Sequence, residues 1–189
     1  MKKAGAKQYF ENHADDFNSY YRENKLPVLG RMKRYLWRDL AERERLTIEV
    51  CSPLKDKSIL DIGCGDGHYS KHFLAGGVKY YLGVDFSDEM IRQAKISQPS
   101  CRFLEADFMQ HSFQEKFNCT IAMGVLDYVA DPVAFLEKML SLSTEKSVVS
   151  IPQKTFIRGA IRRIKYKARR CRIYLYTLDE LLKLLNNIK

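Results

Sequence analysis

The chain has no hydrophobic run long enough to cross a bilayer, no Cys-x-x-Cys pair, no internal repeat and no low-complexity tract. The first absence argues against a membrane-spanning helix. The basic start, Met1 to Gln8, is followed by no apolar stretch of the kind a secretory leader carries, so a cytoplasmic location is expected. Five cysteines (51, 64, 101, 119 and 171) are an odd number and read as free thiols in a reducing compartment. Four scattered histidines form no Cys/His cluster, so spacing makes no case for a structural metal. Acid is absent from one long stretch. Residues 154 to 172 hold nine basic side chains and no carboxylate, within a total of 32 basic and 23 acidic residues. The net charge of +9 therefore resides in that segment, and any electrostatic steering must come from it.

What is present is ordinary for a globular protein: 189 residues, 46% hydrophobic and 29% charged. One domain over 1–189 is expected. Residues 8 to 24 are aromatic and acidic, and Pro27 and Gly30 separate them from a longer helix at about 31 to 51, closed by Pro53. This N-terminal part, 1–52, is followed by a βα core at 58–152, the basic insert at 153–176 and a last helix at 177–189. Ser87 is placed to cap a helix running to about Ile96, and Asp131-Pro132 to cap the next. Val133, Phe135, Leu136, Met139 and Leu140 mark the buried side of that second helix. A fifth strand is expected at Ser147 to Ile151. Thr177-x-x-Glu180 reads as a capping box before the stripe Leu181, Leu182, Leu184, Leu185.

The chemistry concentrates at strand ends. An apolar strand, Ser58 to Ile62, runs into Gly63, Gly65 and Gly67, and a helical pattern of Tyr69, Phe73 and Leu74 follows until Gly76-Gly77. Alternate glycines let the backbone turn tightly and approach a ligand without a Cβ in the way. Such a loop, at the carboxyl end of a parallel strand and before a helix, is where open α/β sheets bind ligands. The spacing is G-x-G-x-G. A dinucleotide fingerprint would need glycine where His68 stands, so a dehydrogenase is disfavoured. Three more strands end in similar signals: Tyr80 to Val84 in Asp85, Arg102 to Ala106 in Asp107-Phe108, and Cys119 to Met123 in Gly124-Val125-Leu126-Asp127-Tyr128. Their separations suit βαβ units.

This ordered set resembles the class I S-adenosylmethionine-dependent methyltransferases, small-molecule type, over about residues 8 to 189. The resemblance implies an α/β fold: a Rossmann-like, doubly wound, mostly parallel sheet with helices on both faces. It implies S-adenosylmethionine as cofactor, with Asp61, Gly63, Cys64, Gly65 and Gly67 under its methionine and ribose. Asp85 would accept from the ribose hydroxyls, with Phe86 against the adenine face. Asp107 would take the adenine amine, the Phe108 N–H a ring nitrogen, and Gly124 would flank the reactive methyl. Tyr128, Asp127 and His111 are the weak candidates for a base, with His13 behind them. Tyr20 and Tyr21 fit a lid over the cofactor, and Tyr128 and Arg162 contacts to the acceptor.

The family normally adds a sixth strand and an antiparallel seventh, and this sequence ends before either. The expectation is an incomplete sheet, through truncation or completion by a partner such as a second copy. Ile157, Ile161, Ile164 and Ala168 recur at helical spacing within the basic segment, which predicts a basic helix over the acceptor pocket and an anionic acceptor. A solvated face is an equal reading, a membrane surface the next. Nucleic acid is disfavoured, since no aromatic platform accompanies the charges. Transfer to a small molecule, oxygen favoured over nitrogen or carbon, stands against two rivals: methylation of RNA or another macromolecule, and a non-catalytic binding subunit. The fourth-strand segment lacks the Asn/Asp-Pro-Pro-Tyr/Phe run that orients planar nitrogens, which disfavours DNA adenine and glutamine amides.

Overall fold

A computed structural model describes residues 30–151 and 173–186 and the single positions 11 and 188. His13, Tyr20, Tyr21, Arg162 and the whole basic segment 154–172 lie outside these residues. In chain order the elements are α1 (Gly30–Cys51), β1 (Ser58–Ile62), α2 (Ser70–Ala75), β2 (Tyr80–Asp85), α3 (Asp88–Ser97), β3 (Arg102–Glu105) and β4 (Phe117–Ala122). A short 3-10 turn (Leu126–Tyr128), α4 (Pro132–Ser141), β5 (Ser143–Val149) and α5 (Leu178–Asn186) follow.

The five strands form one sheet in the order β3-β2-β1-β4-β5, and all four pairings are parallel. β1 sits in the middle, and four of its five residues are buried. Alternation along it serves two cores. Ile59 points into one with Tyr81, Phe103, Cys119 and Ile121, beneath Cys51 of α1, Phe73 of α2, and Ile91 and Ala94 of α3. Leu60 and Ile62 point into the other with Val84, Phe117 and Ala122, beneath Phe135, Leu136 and Met139 of α4 and Leu184 of α5. Helices therefore cover both faces, as a doubly wound sheet requires. The chain reverses direction across the sheet between β1 and β4, and this switch point is where ligands lodge in such folds.

The helix signals act as their chemistry dictates. Ser87 Oγ accepts from the Met90 amide at 3.4 Å, and Asp131 Oδ1 accepts from Ala134 N at 3.1 Å with Pro132 next in the chain. Thr177 and Glu180 close the reciprocal box: Glu180 Oε2 accepts from Thr177 N at 2.7 Å, and Thr177 Oγ1 from Glu180 N at 3.2 Å.

Two expectations need correction. β5 starts at Ser143 and ends at Val149, not Ser147 to Ile151. Its polar beginning hid it, and there each polar group is satisfied by a neighbour. Glu145 meets Lys57 Nζ at 2.5 Å and Asn118 Nδ2 at 2.7 Å, and Lys146 Nζ donates to the carbonyls of Val50 and Ser52. Leu140 does not belong to the buried side of α4; it is 44% exposed, on the flank beyond Met139. On α5 the leucine stripe is only partly covered, with Leu184 buried and Leu182 and Leu185 half exposed. Among the described residues no antiparallel hairpin follows β5; Tyr176 makes one isolated bridge.

Phe73 has no exposed surface and joins α2 to the first core. Phe73→Ala is expected to cost about 3–5 kcal/mol in urea unfolding, whereas Leu140→Ala should stay within about 1 kcal/mol. Equal losses would contradict the assignment of the two faces.

Candidate active site

The loop after β1 is built by glycine. Gly63, Gly65 and Gly67 adopt φ of +69°, +55° and +79°, in the left-handed region that other residues resist. The Gly63 and Cys64 amides both donate to the Val84 carbonyl, at 2.7 and 3.1 Å, folding the loop back over the end of β2. A Cβ on Gly63 would stand 2.4 Å from Val125 Cγ2, and one on Gly67 2.9 Å from the Phe103 ring. A Cβ on Gly65 would meet nothing within 4 Å. The outer glycines thus allow close packing, and the middle one leaves an open face on the backbone.

Asp85 faces that loop from the end of β2. Its Oδ2 accepts from Gly65 N at 3.0 Å and its Oδ1 from Ser87 N at 2.9 Å. Burial raises its pKa, and the donated N–H bonds from Ser87, Gly65 and Phe86 oppose that rise. A carboxylate has about four lone-pair sites, so these three bonds still leave room for a hydroxyl donor. Phe86 is half-buried beside it. Asp61 is almost fully buried and accepts from the Tyr81 hydroxyl at 2.5 Å, a partner the sequence did not reveal. Burial drives its pKa from 3.8 to about 7, against the Tyr81 bond, with the nearby Asp85 charge adding to the rise. The Cys64 thiol is buried in the loop, and burial, then the Asp61 and Asp85 charges, push its pKa up.

At the end of β3, Asp107 Oδ1 accepts from Met109 N at 3.0 Å, closing its own turn. The Phe108 ring belongs to the second core, 5.0 Å from Phe135. His111 lies edge-on to Phe113 at 4.7 Å, with its carbonyl accepting from Lys138 Nζ, on the α4 side of the sheet. At the end of β4, Gly124 has φ +75° and its amide donates to Ser150 Oγ at 2.6 Å. Asp127 is buried and its carbonyl accepts from Tyr174 N at 2.7 Å, while Tyr128 is half-buried. Beside these strand ends a cleft of about 450 Å³ opens under α1. Glu42, Arg43, Leu46, Thr47 and Val50 line one wall, and Met123 and Val148 to Ser150 the other.

Helix α1 supplies groups that sequence reasoning missed. Arg43 Nε donates to the Tyr69 hydroxyl at 3.2 Å, and its Nη1 lies 3.6 Å from where a Gly124 Cβ would stand. Glu44 meets His68 Nε2 and His72 Nε2, each at 2.7 Å. The absence of Cys/His spacing concealed this cluster. The four-residue interval between His68 and His72 was visible, but the carboxylate arrives from a helix some two dozen residues away.

The strand order, the glycine loop and the acidic ends of β2 and β3 define a Rossmann-like fold of the class I methyltransferase type. The family profile described as "Methyltransferase domain" matches residues 59–146. Trans-aconitate 2-methyltransferase of Enterobacter sp. (strain 638) is 34% identical over 115 residues, 59% of this chain and 46% of that protein. A tRNA U34 carboxymethyltransferase of Dichelobacter nodosus (strain VCS1703A) is 32% identical over 108 residues, 54% of this chain and 34% of that protein. The match thus spans half or less of either curated relative. The structure of magnesium protoporphyrin IX methyltransferase from Synechocystis PCC 6803 with bound SAH superposes with a TM-score of 0.77 at 19% identity, covering 99% of this chain and 88% of that one. Residues 59–146 thus match a methyltransferase-domain profile, and the chain shares the fold of that solved methyltransferase.

The pKa of Asp61 makes stability depend on pH. Its folded value, about 7, lies above the ordinary 3.8, so the native state holds a proton that the unfolded chain has lost. Its stabilising contribution is complete below about pH 4 and is lost as pH rises to about 7, by roughly 4 kcal/mol at most. Urea unfolding of the native chain and of Asp61→Asn, a neutral isostere of the protonated acid, should nearly coincide below about pH 4 and diverge toward about pH 7–8, where the native chain loses stability and the variant does not. Parallel curves would show that Asp61 titrates normally.

Proposed function

We propose that the protein transfers a methyl group from S-adenosylmethionine to a small-molecule acceptor, with oxygen the favoured acceptor atom. The observation that carries this reading is the open face of Gly65 beside the Asp85 carboxylate, where a Cβ would meet no atom within 4 Å. Gly63, Cys64, Gly65 and Asp61 would hold the methionine end, and Asp85 the ribose hydroxyls, each charged hydrogen bond contributing about 1.5–3 kcal/mol. Phe86 would cover the adenine, with Asp107 and the Phe108 backbone at its edge. When bound, the cofactor supplies a sulfonium-activated methyl. The protein aligns the acceptor with that methyl and excludes water.

The cleft under α1 is the natural acceptor site. Its volume lies in the range of small-molecule pockets, and its walls are largely apolar. Arg43 lines it and approaches Gly124, where the reactive methyl would lie, so a carboxylate or phosphate on the acceptor would find its counter-charge there. This supports an anionic acceptor independently of Arg162 and the basic segment. A general base for an oxygen acceptor would come from the turn bearing Asp127 and Tyr128; His111 sits farther along the α4 side. The macromolecular reading retains one support, the acid-free basic segment, and one relative acts by name on tRNA U34.

Asp85→Ala should weaken binding of S-adenosylhomocysteine at least about tenfold, through loss of one or more charged hydrogen bonds. Unchanged affinity would confine Asp85 to holding the loop. Transfer of labelled methyl should be found to low-molecular-weight carboxylic or phosphorylated acceptors and fall in Arg43→Gln with cofactor affinity kept. Label appearing in tRNA alone would reverse the choice between the two readings.

A further inference from the structure

We propose that Glu44, His68 and His72 form a binding site for a divalent transition metal, zinc foremost, which clamps α1 onto the cofactor loop. His68 follows Gly67 directly, in the turn before α2, and His72 lies within α2. Both rings face α1, since each meets Glu44 there. Glu44 on α1 meets them with one oxygen each: Oε2 lies 2.7 Å from His68 Nε2, and Oε1 2.7 Å from His72 Nε2. The three donor atoms all lie within 4.8 Å of one another.

Hydrogen bonding alone does not account for the cluster. His72 Nε2 is buried yet makes no aligned hydrogen bond, although Glu44 Oε1 is 2.7 Å away. A buried polar nitrogen left in this way is costly. A metal ion between the three groups would use its lone pair. Bond lengths of about 2.0–2.2 Å put tetrahedral donors roughly 3.4 Å apart, between the 2.7 Å carboxylate–imidazole contacts and the 4.8 Å that bounds the cluster.

Two imidazoles and one carboxylate select among ions. The set suits zinc and its first-row neighbours, whereas magnesium and calcium prefer oxygen donors throughout. Three protein ligands leave at least one position for water or another group. The site is distinct from the Asp85–Gly65 cradle, but it grips the same loop through His68. Arg43, next to Glu44, makes a parallel attachment through Tyr69. The clamp joins the helix that walls the acceptor cleft to the loop that would bind the cofactor. Its test reads metal, not turnover.

Purified full chain, stripped with a chelator, is titrated with zinc by calorimetry and with cobalt(II) by visible absorption. The expected result is one equivalent bound, cobalt bands of a low-coordinate nitrogen–oxygen site, a zinc-dependent rise in melting temperature, and no competition from magnesium. His72→Gln and Glu44→Gln should each bind zinc at least tenfold more weakly and lose the melting shift. His68→Asn provides the same comparison should Glu44→Gln fail to fold. A wild-type chain that binds less than one equivalent, or variants that bind zinc as tightly as it does, would overturn the proposal.

Discussion

The two hydrogen bonds that Asp85 accepts from Gly65 and Ser87 fix the end of the sheet on which the site depends. One oxygen holds the glycine loop and the other the start of α3, so one carboxylate joins two adjacent βα connections. The register of β1 on β2 sets Ile62 opposite Val84, and the Val84 carbonyl then receives the next two amides of the loop. If the loop lost its left-handed residues, those amides could not turn back, and the face beside Gly65 would close. Stability and ligand access therefore rest on the same few backbone angles.

Around this point the electrostatics are set by burial. Asp61, Asp85 and Cys64 are each pushed toward their neutral forms. Helix α1 adds the other half of the site, with Arg43 at the cleft and Glu44 against the two histidines. The candidate site thus lies between the carboxyl end of the central strands and one helix.

Much of this was legible in the sequence because its signals are local. Gly63, Gly65 and Gly67 announce a backbone that only glycine adopts easily, and Ser87, Asp131 and the Thr177–Glu180 pair cap helices through contacts three residues away. The buried strands read as apolar runs because both their faces are covered. What escaped is non-local or compositionally disguised. β5 begins with Ser-Thr-Glu-Lys, whose partners, Lys57, Asn118 and the Val50 and Ser52 carbonyls, come from distant elements. Tyr81 as partner of Asp61 requires knowing that β2 lies beside β1. Glu44 meeting His68 and His72, and Arg43 reaching Gly124, require knowing where α1 packs. Leu140 was misplaced because periodicity marks a stripe and not its edges.

The central claim is that the β1 loop and Asp85 form an S-adenosyl site and not a dinucleotide site. Calorimetric titration of the full chain with S-adenosylhomocysteine, S-adenosylmethionine and NAD tests it most directly. Saturable one-to-one binding of the first two, with no heat from NAD, is the result this structure predicts. Tight NAD binding without a response to S-adenosylhomocysteine would contradict it.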